Sequence, residues 1–102
     1  MRFTFNEKYK DNLIVKETFE FALLIVVYAE MLEHNRKYVI ARQLLKSGTS
    51  IGANVKEADE TEYWLFLCQA SETYPNCAAE LKKLQGILKI LNKIIGTSKN
   101  RS

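Results

Sequence analysis

From Leu81 to Ile95 the large apolar residues Leu81, Leu84, Leu88, Leu91 and Ile95 step by three, four, three and four. That spacing puts them on one face of a helix, as in a heptad seam, and does not fit the two-residue alternation of a half-buried strand. Ile87, Ile90 and Ile94 broaden the stripe. A helix with such a stripe must bury it against another element. A partner is present upstream: Ile14, Thr18, Phe21, Ile25, Tyr28 and Leu32 repeat at steps of four and three, widened by Ala22 and Leu24. Asp11 or Asn12 can cap this first helix by accepting from the free N–H groups of its first turn. His34-Asn35 marks its end.

A second helix is expected to begin near Arg36, with Ile40, Leu44, Ser47, Ile51, Val55 and Ala58 on one side and Ala41, Leu45, Gly48 and Gly52 beside them. Pro75 ends the helix before the last one, Asn76 can cap the last one, and Gly96 can stop it. Four glycines and one proline are too few for the turns of an all-β domain. The 102 residues fit one domain, read as an all-α, up-and-down helical bundle over 1–102. Residues 1–11 are read as an N-terminal arm and 97–102 as a frayed basic tail. A chain this short buries a modest share of its surface, so self-association is a natural source of stability.

The start of the chain lacks the apolar core and cleavage site of a signal peptide. The longest apolar run, Phe21 to Ala29, falls short of the roughly 20 residues that cross a bilayer. A cytoplasmic protein with no membrane association is expected, with Cys68 and Cys77 reduced. Two cysteines without a nearby histidine or a second pair make no zinc site. His34, the single histidine, has no triad partner at a suggestive spacing. Glu57, Asp59, Glu60 and Glu62 lack the Glu-x-x-His pairs of a di-metal bundle. No enzyme activity, cofactor or metal is therefore expected.

Net charge is +3, and its distribution says more. Residues 36–56 carry Arg36, Lys37, Arg42, Lys46 and Lys56 and no acid; 57–74 carry Glu57, Asp59, Glu60, Glu62 and Glu72 and no base. Residues 76–102 carry six bases against Glu80 alone. Arg42 and Lys46 are one helical turn apart, and Lys82, Lys89 and Lys93 follow at seven and four. Such rows can meet the phosphates of a nucleic acid, or can simply solvate the surface while their stems cover the core edge. Aromatic residues are not interleaved with the bases, so single-strand stacking is unsupported.

Two glycines inside a helix cost about 1 kcal/mol each relative to alanine. Gly48 and Gly52 are four apart, so close helix packing is the expected return, not a phosphate loop. Ser50 and Asn54, also four apart, are expected to join them in a hydrogen-bonded seam between helices or subunits.

The segment Arg42-Gln43-Leu44-Leu45-Lys46-Ser47-Gly48-Thr49-Ser50-Ile51-Gly52-Ala53-Asn54-Val55-Lys56-Glu57-Ala58 resembles the signature of the four-helix-bundle family encoded by intervening sequences of bacterial 23S ribosomal RNA genes. Asn12 to Leu32 fits that family's first helix, and Glu62-Tyr63-Trp64-Leu65 looks like the end of its third. The resemblance implies a non-enzymatic bundle, often pentameric. A related branch of the family assists the reverse transcriptases of diversity-generating retroelements and binds nucleic acid through basic surfaces. Possible partners on this reading are further copies of the chain, RNA or DNA, and a reverse transcriptase or ribonucleoprotein.

In one respect the chain departs from the family pattern. Glu57-Ala58 runs almost directly into Asp59-Glu60-Thr61-Glu62-Tyr63-Trp64, where relatives have a turn and the first part of the third helix. Roughly 20 residues, about 30 Å of helix, are missing by that comparison. Three long helices, or four with a short third, are the two outcomes. A continuous helix through Ala58 is slightly favoured, with a break at Ala58 to Glu60 capped by Asp59 and Glu62 as the alternative. Tyr63, Leu67, Ala70 and Tyr74 are the residues expected to be buried after the junction.

The functional expectation is an oligomeric bundle associated with nucleic acid through Arg36, Lys37, Arg42, Lys46, Lys56, Lys82, Lys89 and Lys93. The alternative is a protein-interaction scaffold with no direct nucleic-acid contact. A truncated remnant with no function of its own is a third reading.

Overall fold

Asn12 starts the first helix. In the computed structural model, which describes residues 12–52 and 54–99, the Asn12 side chain accepts from the Val15 N–H at 3.3 Å and α1 runs Leu13–His34. Its core face is Thr18, Phe21, Ile25, Tyr28, Ala29 and Leu32, the stripe expected from spacing. The arm over 1–11, the cap offered by Asp11 and the tail over 100–102 lie outside the described residues.

Arg36 turns the chain out of α1 at φ +63. The Lys37 N–H reaches back to the Leu32 carbonyl at 2.8 Å and the Arg36 N–H to Glu33 at 2.9 Å. These two bonds form a Schellman stop, whose left-handed position glycine usually fills because a Cβ is strained there. Arg36→Gly is expected to raise unfolding stability by up to about 1 kcal/mol, read as a small rise in Tm.

The second helix, α2, covers Tyr38–Gly48 and buries Ala41, Leu44, Ser47 and Gly48. It ends there, so the expected run through Ala58 does not form. The Thr49 and Ser50 hydroxyls donate to the Leu45 and Lys46 carbonyls, and Gly52 adopts φ +48. Ile51, buried, pins the turn to the core. Asn54 then caps α3, Val55–Ala70, by accepting from the Lys56 N–H at 3.0 Å. Short hydroxyl and amide side chains compete with the helix for backbone groups and so favour caps and turns. The turn thus lies inside the signature-like segment, and the Asp59/Glu62 cap is not used. The shortest helix is α2, not the third.

The buried face of α3 is Ala58, Thr61, Leu65 and Cys68. Tyr63 and Leu67 are exposed, 59% and 40%, and Ala70 is exposed, so of the four residues expected to be buried after the junction only Tyr74, half-buried, packs against the core. Residues 71–77 connect to α4, Ala78–Lys99. Because α3 ends at Ala70, Pro75 sits within this connection and does not itself close the helix. Asn76 accepts from the Ala78 N–H at 2.9 Å. Leu81, Leu84, Ile87, Leu88 and Leu91 are buried, while Ile94 is half exposed. The helix continues past Gly96 to Lys99, so glycine is no stop here.

The four helices form an up-and-down ring in which α1 packs on α2, α2 on α3, α3 on α4 and α4 on α1. The diagonal pairs, α1 with α3 and α2 with α4, make no close backbone approach. One apolar cluster fills the middle, drawn from all four helices and from Ile51 and Cys77. Among the described residues, no helix is long and apolar enough to cross a membrane.

Candidate nucleic-acid interface

The ring decides how the basic residues can act together. On α4, Lys82, Lys89 and Lys93 are exposed and follow one outer face. At about 1.5 Å per residue they span roughly 16 Å along the axis. On α2, Arg42 and Lys46 are exposed one turn apart. Since α2 and α4 are diagonal, these two rows face different sides of the molecule and do not merge into one surface.

The remaining basic candidates have separate surroundings. Arg36 occupies the left-handed position after α1. Lys37, half-buried, places its ammonium 4.9 Å from the centre of the Tyr74 ring, a cation–π contact that ties the α1–α2 corner to the 71–77 connection. Lys56 is exposed in the first turn of α3, beside the acids Glu57, Asp59 and Glu60. A polyanion reaching Lys56 would therefore meet carboxylates as well.

Lys83 was not among the residues singled out by spacing. Its ammonium lies 3.1 Å from Glu17 and 3.0 Å from Glu20, joining α4 to α1. Its bond to Glu20 holds that carboxyl below the usual range. Burial works against the Lys83 ammonium, but its two carboxylate partners outweigh it and raise its pKa. Lys83 thus serves packing, whereas its neighbour Lys82 faces out. A groove of about 440 Å³ runs alongside, lined by Glu17, Leu24, Ala79, Lys82, Lys83 and Gly86. A Cβ on Gly86 would meet nothing within 4 Å, so the chain itself makes no demand for glycine there.

The four residues read as a seam separate into different roles. Gly48 is tightly packed: a Cβ there would lie 2.9 Å from Ile25 Cγ2 and 3.0 Å from Cγ1. Gly52 has open space around it and serves the turn through its positive φ. Ser50 and Asn54 make local bonds to Lys46 and Lys56, not a seam between helices. The buried polar contact between α2 and α3 is instead Ser47 to Thr61, 2.9 Å between hydroxyl oxygens. Thr61 donates to the Glu57 carbonyl at 2.7 Å, so the proton in the Ser47 contact is supplied by Ser47. No sequence signal marked this pair beyond the position of Ser47 on the stripe.

Compared with known proteins, the chain matches no family model, no curated protein and no solved structure. What the fold itself shows is a four-helix all-α bundle. Among the described residues, no group of three or more His, Cys, Asp or Glu side chains is placed to hold a metal ion. His34 is exposed in the last turn of α1, where a cation favours the helix C-terminus.

Proposed function

We propose that this chain is a non-enzymatic, cytoplasmic, oligomeric bundle of the kind carried in 23S ribosomal RNA intervening sequences. It associates with nucleic acid or a ribonucleoprotein through basic helix faces. The observation that carries the reading is the exposed row Lys82, Lys89 and Lys93 on the outer face of α4. Such a row meets successive backbone phosphates of a structured RNA or DNA by charge. Arg42 and Lys46 form a second, separate row on α2. Because the two rows are diagonal within one chain, assembly of several copies multiplies each row without requiring them to fuse. The resemblance in the Arg42 to Ala58 segment supports this class, with five copies as the expected ring and a reverse transcriptase as one possible partner.

The test is binding of a structured RNA and of duplex DNA, read by fluorescence anisotropy between 50 and 200 mM salt, over which the Debye length falls by about half. On duplex DNA, log K is expected to fall with log salt at about 0.9 per phosphate neutralised. Changing Lys82, Lys89 and Lys93 to Gln should flatten that slope by about 2–3. Binding indifferent to salt, or a slope that the triple change leaves untouched, would overturn the proposal.

A second reading has its own observation. Leu23, Val26, Val27 and Met31 are 40–57% exposed on α1, and Tyr63 and Phe66 are 59% and 48% exposed on α3. Apolar area of this kind suits a protein partner. On this reading the chain is an interaction scaffold or accessory subunit that binds no nucleic acid. It is favoured if the mass in solution shows assembly while the protein is not retained on heparin.

A further inference from the structure

Cys68 on α3 and Cys77 at the start of α4 are both free and both fully buried. The Cys77 thiol lies 3.2 Å from the Leu65 carbonyl, on the turn of α3 that precedes Cys68. The connection that separates the cysteines is tied to α3 by Cys77 N–H to Gln69 Oε1 at 2.7 Å and the Ser71 hydroxyl to the Leu67 carbonyl at 2.8 Å, and to α1 and its corner by Tyr28 Oη to the Pro75 carbonyl at 2.6 Å and the Lys37 contact with Tyr74. The Cys77 thiol is thus set against the part of α3 that carries Cys68, and Glu72 and Thr73 of the short connection between the two cysteines are exposed.

We propose that Cys68 and Cys77 form an oxidisable pair, joined by a peroxide-class oxidant when the 71–77 connection opens, so that a disulfide staples α3 to the start of α4. One thiol loses its proton and attacks a peroxide oxygen; the O–O bond breaks, giving a sulfenic acid and water. The second thiol attacks that sulfenic sulfur and displaces a second water. Two thiols and one peroxide become one disulfide and two waters, and the two electrons given up by sulfur end on the two peroxide oxygens. In the closed bundle burial pushes both thiols up, Cys77 to about 11, which keeps them protonated and slow. Opening of the connection, not thiol chemistry alone, therefore sets the rate.

The test treats the whole native protein with hydrogen peroxide, then cleaves after Glu72, the acid between the two cysteines, without reductant. The expected result is a monomer that has lost two hydrogens and whose fragments stay joined until dithiothreitol is added. Cys68→Ser and Cys77→Ser should each abolish the link. Gln69→Ala, an exposed position that gives up the bond to the Cys77 N–H, should speed linkage about fivefold, the worth of one hydrogen bond. Fragments that separate, a link only between chains, or a rate that Gln69→Ala does not change would each overturn the proposal.

Discussion

Leu65→Ala is expected to cost about 2–5 kcal/mol, while Leu67→Ala two residues away costs less than about 1 kcal/mol. Leu65 is fully buried in the apolar cluster at the middle of the bundle, so its truncation leaves a cavity that the surrounding side chains close only in part. Leu67 is 40% exposed and has little packing to lose. Chemical denaturation of the two variants measures the difference directly. For a domain of this size the Leu65 change should lower Tm by about 10 °C or more. Equal effects, or a larger one at Leu67, would mean that α3 is rotated from the orientation described.

Gly48→Leu is expected to prevent the end of α2 from packing on α1, with loss of the cooperative thermal transition. Even Gly48→Ala should cost about 1–3 kcal/mol. The reason is Ile25, whose branched side chain stands where the new Cβ would go and is itself fully buried. A β-branched residue has few alternative rotamers in a helix, so it cannot swing away cheaply. The double variant Gly48→Ala with Ile25→Ala tests this cause. Its cost should fall short of the sum of the single costs by about 1 kcal/mol or more, because the cavity made at 25 receives the methyl added at 48. Strict additivity would assign the cost of Gly48→Ala to something other than Ile25.

Two of the four helices were readable in the sequence for one physical reason. In α1 and α4 the buried positions are occupied almost wholly by large apolar residues, so spacing alone finds the core face. The middle of the chain hides its pattern. On α3 the buried stripe includes Thr61 and Cys68, residues that do not stand out as core, while Tyr63, Phe66 and Leu67 stay exposed. A reading that follows the largest side chains therefore chooses the wrong face. The α2–α3 turn was hidden in a similar way. Thr49, Ser50 and Asn54 fit a helical repeat by spacing, yet their side chains take backbone partners and end one helix or begin the next.

The candidate interface was legible to the same partial extent. Helical spacing located the rows Arg42 with Lys46 and Lys82 with Lys89 and Lys93. It could not show that the rows stand on diagonal helices, since that depends on the order of packing around the ring. Nor could it show that Lys83 is taken up by Glu17 and Glu20, more than 60 positions away. Lys37 likewise looked like one more surface base until Tyr74 was placed beneath it.

Everything about how the basic rows are displayed follows from the chain turning back on itself after Gly48. That turn brings Ser47 and Thr61 to 2.9 Å, whereas a helix running straight through would hold them about 21 Å apart. The decisive measurement is a nuclear Overhauser contact between the Ser47 β protons and the Thr61 methyl group. A clear cross-peak is expected. Its absence, together with unbroken helical connectivities from Gly48 through Ala58, would contradict the four-helix ring.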